Sequence, residues 1–582
     1  MSTWINKKLI SFSEKVIDNV IDSFTNKTRP IESIENLQGF SNKLGFNSVL
    51  KDGYRIIKNN EDAILKNIDA CKEICQIIQT SLGPKCMNKL IVTHLNKKIV
   101  SSDCITILRD LEINHPVVNI LKKLSETMNY EYGDFTNYVF TITTEMLDKA
   151  GLLIKEGFNI NDILKGFMLG YKEIEKILPK LVVWKCTDFH NEKEIQNILM
   201  PVMITKNVLH SYEFIVQLLS KCICTMMPEE ITQFDVDNIR ISKINGGSLI
   251  DSNYLVGMVI TREANGIVKK KEDGNVIVLN CGLEAATTET KGTVLLHNAT
   301  ELMNFTKGEE EQMRNIIENI KNAKVDVIIV NGAISDIAQH FCDANDIMTL
   351  KITSKFETLR ICKLLNITPL IKLDTPTPEE IGKVNSIYLS EIASKKVTII
   401  NAKSKKIGTI ILRGATYNFL DEVERCIHDG INAVKNAIKH NAFLYGGGCV
   451  EIQISEYLKQ YSKQLNSIDN YCVKIFAESF HIIVKILATN CGYNSTNVLN
   501  ELINKHNKGM TDFCVNINKQ EEEHTISAKE QHIFDNLQCK KYAIDLAIDA
   551  LQTILKIDQI IMAKPAGGPK PREKNPQYDD AF

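Results

Sequence analysis

Val325-Asp326-Val327-Ile328-Ile329-Val330 is the run on which the fold turns. All its residues but Asp326 are apolar and β-branched, its length is that of a strand, and helical patterns flank it at Glu310–Ala323 and Ile334–Ala344. Similar bursts stand at Val276–Leu279 and Val397–Ile400. Strands alternating with helices predict an α/β domain in the middle of the chain. Outward on both sides the text turns helical. Toward the N-terminus, Glu61–Gln79 carries Ala63, Ile64, Ile68, Cys71, Ile74, Cys75 and Ile78 at helical spacing, and another helix is predicted over Asn161–Leu178. Beyond Gly408–Gly414, helices are predicted at Leu420–Lys439 and Glu451–Leu465 and onward to Leu555. The order helix-rich, α/β, helix-rich predicts an inserted middle domain whose two outer flanks pack as one. Two short runs, Lys89–Val92 and Lys98–Val100, suit a hairpin.

The 582 residues suffice for roughly three or four domains. Lys plus Arg is 69 against Asp plus Glu at 71, a balance that argues against gripping nucleic acid or an anionic membrane surface. No apolar stretch approaches the roughly 18 residues of a membrane span. The 16 cysteines are scattered from Cys71 to Cys539 without a CxxC pair or zinc spacing, which predicts reduced, mostly buried thiols. Met1–Lys27 mixes apolar residues with Glu14, Asp18 and Asp22, so neither a secretory leader nor a mitochondrial presequence is expected, and a cytoplasmic location is. Residues 1–44 read as an appendage with an amphipathic helix over Ile5–Phe24, and Lys564–Phe582 as a Pro-, Gly- and charge-rich flexible tail.

No Walker A loop, dinucleotide fingerprint, zinc-protease helix or nucleophile elbow is present. What remains are small-residue turns and carboxylates in the outer regions: Ser81-Leu-Gly-Pro-Lys-Cys-Met87, Ser101-Ser-Asp103, Gly133-Asp134-Phe-Thr136-Asn137 and Gly446-Gly-Gly448. Small residues at a helix start let backbone N–H groups approach phosphate oxygens, and magnesium with a nucleotide needs only one or two carboxylates. Taken singly, each has an equally good plain reading. Asp103 and Asp134 suit helix caps, a triple glycine suits a tight loop, and Asp429 suits a solvated helix face.

The order of these pieces resembles the group II chaperonins of the eukaryotic cytosolic TRiC/CCT type, over nearly everything after the first 44 residues. Ser81-Leu-Gly-Pro-x-x-Met87-Asn-Lys89 is similar to that family's phosphate loop, and Asp103-x-x-Thr106-Ile-Leu108 to its second nucleotide motif. Gly133-Asp134-x-Thr136-Asn137 corresponds to the third, and Gly446–Gly448 with Glu451 to the fourth. Further stretches, Met87–Leu95, Lys291–Leu296, Glu301–Glu310 and Ile557–Pro571, are similar to one subunit type in particular.

The resemblance implies a multidomain chaperonin fold. Its helix-rich equatorial domain would comprise 45–183 and 444–563, beyond an N-terminal extension at 1–44 and before the tail at 564–582. A small intermediate domain would comprise 184–246 and 407–443, and an α/β apical domain 247–406, with a helical protrusion near Thr287–Glu311 serving as a built-in lid. It implies paralogous subunits in a stacked double eight-membered ring, ATP and Mg2+ as cofactors, and non-native client proteins, with no nucleic acid or membrane partner. Ser81, Leu82, Gly83 and Pro84 would line the nucleotide, Asp134 would ligate magnesium, and Thr136 and Asn137 would contact phosphate. Asp103 and Asp429 would orient the attacking water, Gly447 and Gly448 would lie under the nucleotide, and Asp535 would face the ribose. Clients would meet a groove beside Ile334–Ala344, with Asp336, Gln339 and His340 as exposed candidates, although any solvated helix face carries such residues.

The sequence departs from the family pattern at Cys86 and Phe135, where glycine is usual, and at Tyr445 and Cys449, where smaller residues are. A Phe at a position needing φ > 0 costs about 1–3 kcal/mol. Two expectations follow: an ATPase subunit with Asp103, Asp134 and Asp429 retained, or a structural ring subunit whose nucleotide binding is weakened by Cys86 and Phe135.

Overall fold

The computed structural model describes residues 55–57, 60–93, 96–111, 113, 115–206, 212–284, 298–402, 404, 406–517 and 523–562. The expectations for 1–44, for 287–297 of the protrusion and for the tail at 564–582 lie outside them. The chain divides into two compact units, one of 1–63 with 558–582 and the other of 64–557. In the first, Arg55–Ile57 pairs antiparallel with Ile560–Met562, Ile56 facing Ile561.

In the second unit the β-branched bursts become a sheet ordered Met348–Ile352, Val327–Asn331, Asn275–Leu279, Gly382–Lys383. The first three strands are parallel and the last is an antiparallel edge. Parallel neighbours require crossovers, and the helices Ala299–Asn322 and Asp336–Ala344 supply them. The strand alternation then sorts the side chains. Ile277, Leu279, Ile328 and Val330 pack with Met313, Ile317, Ala338 and Cys342 of those helices. Val276, Val278, Val327 and Ile329 face the other way, onto Met258, Ile260, Ile387 and Ile400. The latter belong to an antiparallel sheet ordered Met258–Ile260, Lys395–Asn401, Ser386–Ile392, Lys270–Glu272. Only its Val397–Ile400 strand was legible in the sequence, because Ser386–Ile392 breaks its apolar text with Ser, Tyr and Glu.

Gly408–Gly414 is the central strand of a further sheet, parallel to Ile239–Asn245 and antiparallel to Asn253–Val256. Its Ile410 and Leu412 are buried against the helices Glu192–Ile204, Tyr212–Met226 and Tyr417–Lys439 through Leu199, Leu219, Ile223, Ile427 and Ile431.

Helices from the two flanks pack together. Phe167 of Ile160–Ile177 meets Phe476 of Ser467–Ser479 with ring centroids 5.0 Å apart, and Phe140, Phe476 and Phe480 are fully buried. Lys89–Val92 and Lys98–Ser101 form the expected hairpin, with Leu90 opposite Val100. Phe443–Tyr445 pairs antiparallel with Phe534–Asn536, which sets Asp535 opposite Leu444.

Candidate functional site

Four loops separated in sequence meet at one cavity of about 500 Å3, a size typical of ligand sites. Its walls include Ser81, Leu82, Gly83, Pro84, Asp134, Thr136, Asn137, Gly447, Gly448 and Asp535. Asp103 and Asp429 are not part of that wall. Asp429 is joined to the wall by an ion pair with Lys206, which lines the cavity.

The first loop follows a short 3-10 turn over Gln79–Ser81 and closes on itself. Met87 N–H donates to Thr80 O at 2.9 Å, Cys86 N–H to Gly83 O at 3.2 Å, and Ser81 Oγ–H to Met87 O at 3.1 Å. Asn490 Nδ2 braces it from outside by donating to Gln79 O and Leu82 O.

Asn137 joins three segments. Its Oδ1 accepts from Cys104 N–H at 3.0 Å, and its Nδ2 donates to Ser81 O at 2.8 Å and to Ser102 O at 3.5 Å. The side chain expected to contact phosphate is thus also the brace that holds the loops in register. Asp103 is a helix cap, since its Oδ2 accepts from Thr106 N–H at 3.1 Å and Thr106 Oγ1–H at 2.9 Å. Asp134 is not one, because the N-cap of Thr136–Lys155 is Phe135.

Two helices begin at the cavity without a side-chain cap: Thr136–Lys155 after Phe135, and Cys449–Ser462 after Gly448. Their first N–H groups have no intrahelical partners, and the helix dipole makes both ends favourable for an anion. Gly448 has φ +94°, and a Cβ there would lie 2.6 Å from Val484 Cγ2, so this turn admits glycine alone.

The departures resolve differently. Cys86 keeps a negative φ and is buried, with its Sγ–H donating to Thr205 O at 3.5 Å, so it imposes no left-handed strain. Burial pushes its thiol pKa up. Tyr445 stacks on Phe534 at 6.2 Å, and Cys449 is buried with its Sγ–H donating to Phe513 O at 3.0 Å. Phe135 does adopt φ +63°, ψ 13°, lines the cavity, and meets Tyr138 edge-on at 5.7 Å. A non-glycine residue held there stores about 1–3 kcal/mol.

Lys206 was not legible in the sequence. It follows Glu192–Ile204 as one lysine among many, with no local pattern to mark it. Its Nζ lies 2.5 Å from Asp429 Oδ2, and both side chains are largely buried. Burial disfavours the ammonium, but Asp429, Asp103 and Asp134 outweigh it and hold the Lys206 pKa well above its ordinary value. Burial raises Asp134 against the pull of Lys206. It raises Asp429 to about 7, helped by Asp103 and Asp134 and opposed by Lys206. Lys206 is thus ion-paired with Asp429 and also feels the charge of Asp103 and Asp134.

The groove candidates lie elsewhere, on Asp336–Ala344. Asp336 and His340 are exposed there. Gln339 is not, contrary to expectation: it is half-buried and its Oε1 accepts from Thr349 Oγ1–H at 2.6 Å. Thr349 belongs to Met348–Ile352, the strand at the edge of the sheet, so this bond holds Gln339 against the sheet rather than in solvent.

Among the described residues no helix is long and apolar enough to cross a membrane. Of the 16 cysteines, 14 are buried, as the sequence predicts.

Residues 74–565 match the sequence profile of the TCP-1/cpn60 chaperonin family. T-complex protein 1 subunit theta of Dictyostelium discoideum is 37% identical over 539 residues, covering 92% of this chain and 100% of that protein. The mouse and human proteins of the same name are 36% and 35% identical over 538 residues, covering 92% of this chain and 98% of theirs. Similarity that runs nearly end to end, through every loop of the cavity, leaves one conclusion: the chain belongs to the TCP-1/cpn60 chaperonin family, alongside relatives of the theta type.

Proposed function

We propose that this chain is an ATP-hydrolysing subunit of a cytoplasmic chaperonin, working among paralogous subunits in a stacked double eight-membered ring around non-native proteins. The observation that carries the reading is the convergence of Ser81–Pro84, Asp134–Asn137, Gly447–Gly448 and Asp535 on one cavity that two uncapped helix N-termini enter. Its equatorial domain is taken as 45–183 with 444–563, its intermediate domain as 184–246 with 407–443, and its apical domain as 247–406.

The residues fit a magnesium nucleotide. The uncapped N–H groups of the Thr136 and Cys449 helices would bind phosphate oxygens, and Asp134 would hold the metal. Among the described residues no three His, Cys, Asp or Glu side chains gather to hold a metal by themselves. That suits magnesium, whose other positions phosphate and water fill. Bound ATP supplies a labile phosphoanhydride, so the protein's share is positioning and charge stabilisation. Asp429 and Asp103 would orient water and accept its proton, while Lys206 would keep Asp429 ionised near neutral pH. Asp336 and His340 remain the exposed client-groove candidates, with Gln339 contributing from its half-buried place.

A second reading has one observation behind it. Phe135 stands strained in the cavity wall, which favours a ring-building subunit with weakened nucleotide binding. Imaging the assembled ring at near-atomic resolution with ATP under hydrolysis-trapping conditions decides between them. Metal-bound nucleotide beside Asp134 is the expected result. A vacant cavity in this subunit, with neighbours filled, would overturn the ATPase reading.

A further inference from the structure

Lys540 is the most deeply buried cation among the described side chains, at 1% exposure, and the nucleotide reading above assigns it no role. It projects from the first turn of Leu537–Leu555, whose N-cap Asn536 accepts from Gln538 and Cys539 N–H. Its Nζ lies 2.7 Å from Asp535 Oδ2 and 2.9 Å from Glu451 Oε1. It also lies 5.8 Å from the centre of the Tyr138 ring. Glu451 is as buried as Lys540, whereas Asp535 retains 24% of its side-chain exposure and lines the cavity.

One ammonium therefore ties three cavity walls together. Glu451 belongs to the helix that starts after Gly448, Asp535 to the strand beside Gly446, and Tyr138 to the helix that starts after Phe135. A sealed ammonium is retained only when paired, and here two carboxylates share it. With Oδ2 taken by Lys540, Asp535 has its Oδ1 toward Gly446, where even a Cβ would come within 3.1 Å. The carboxylate is thereby fixed before any ligand arrives, and a pre-set acceptor loses less freedom on binding.

We infer that Lys540 is a positioning residue, which locks Asp535 so that its free oxygen receives a ribose hydroxyl of the nucleotide. The inference rests on the nucleotide reading proposed above. It makes Lys540 a determinant of the sugar, with no part in phosphate chemistry. Glu451 is the counterweight that keeps Lys540 ionised, and burial of the ammonium is outweighed by Asp535 and Glu451 together.

The test compares binding of ATP and 2′,3′-dideoxy-ATP to the full-length chain in its ring, in the wild type and in Lys540→Met. In the wild type, ATP should bind roughly tenfold more tightly than the dideoxy analogue, since a charged hydrogen bond is lost. In K540M that preference should fall to about unity, with KM raised and kcat for bound ATP unchanged. Should K540M fail to fold, the double variant E451Q/K540M, which leaves no buried charge unpaired, replaces it and must show the same loss. Wild-type preference for ATP kept intact in the folded variant overturns the inference while leaving the nucleotide reading standing. A wild type that binds ATP and the analogue equally does the same. A wild type that binds neither overturns both.

Discussion

Lys206 Nζ lies 2.5 Å from Asp429 Oδ2, joining the end of the Glu192–Ile204 helix to the Tyr417–Lys439 helix beside the cavity. The contact sets the electrostatics of the site, because the same ammonium answers Asp103 and Asp134. With Asp429 near 7, its ionised, proton-accepting form grows as pH rises through neutrality. Hydrolysis by this subunit should therefore rise between about pH 6 and 8. Lys206→Met removes the charge that opposes the upward shift, so the midpoint should move up by roughly a unit or more. PH–rate profiles of rings whose other subunits carry inactivating substitutions check this, and an unmoved midpoint would remove Lys206 from the account.

Phe135 at φ +63° is the strained departure, and Phe135→Gly should release about 1–2 kcal/mol of backbone strain. Against that stand the lost edge contact with Tyr138, about 0.5–1.5 kcal/mol, and the freedom glycine adds to the unfolded chain. The expected stability change is near zero. Nucleotide affinity should nonetheless rise several-fold, because the ring leaves the cavity wall. Thermal unfolding and equilibrium binding of the same variant separate the two effects, and unchanged affinity would show that Phe135 does not restrain the site.

Asn137→Asp keeps the acceptor for Cys104 N–H but removes the donor to Ser81 O and Ser102 O. We expect a loss of about 1–3 kcal/mol from the unmet carbonyls. Affinity for nucleotide should weaken along with it, since the first loop loses its brace. Denaturant unfolding read beside nucleotide binding tests the coupling. Loss of stability with affinity intact would mean that the loops hold register without Asn137.

His481 is buried, with Ser455 Oγ 2.8 Å from its Nε2. Burial, together with Lys459, Lys485 and Lys149, depresses its pKa from 6.5 to about 3. Above 6.5 both folded and unfolded states are neutral here. As pH falls below that, the unfolded chain binds a proton that the folded chain refuses. Stability should therefore drop by up to about 1.4 kcal/mol per pH unit until the folded pKa is reached. His481→Gln should flatten that part of the acid profile, measured by unfolding at a series of pH values. An identical slope in the variant would assign the acid lability to other groups.

The sequence by itself determined the local pieces and the family. β-branched bursts of strand length at Val276–Leu279 and Val325–Val330 indicated strands in an alternating α/β pattern, and the structure's parallel sheet uses both, starting two residues later in the second. Gly446–Gly448 announced a tight turn, in which Gly447 and Gly448 do stand at positive φ, and the order of the motifs carried the resemblance to the chaperonins. Tertiary structure alone decided which charges meet. Lys206 and Lys540 carry no local signal, since an ion pair between distant segments depends on the path of the chain between them. It alone decided that Asp103 caps a helix while Asp134 does not, that Gln339 turns inward, and that Phe135 must stand at positive φ where Cys86 need not. Each depends on how distant segments pack, and burial and charge sum over neighbours in space rather than neighbours in sequence.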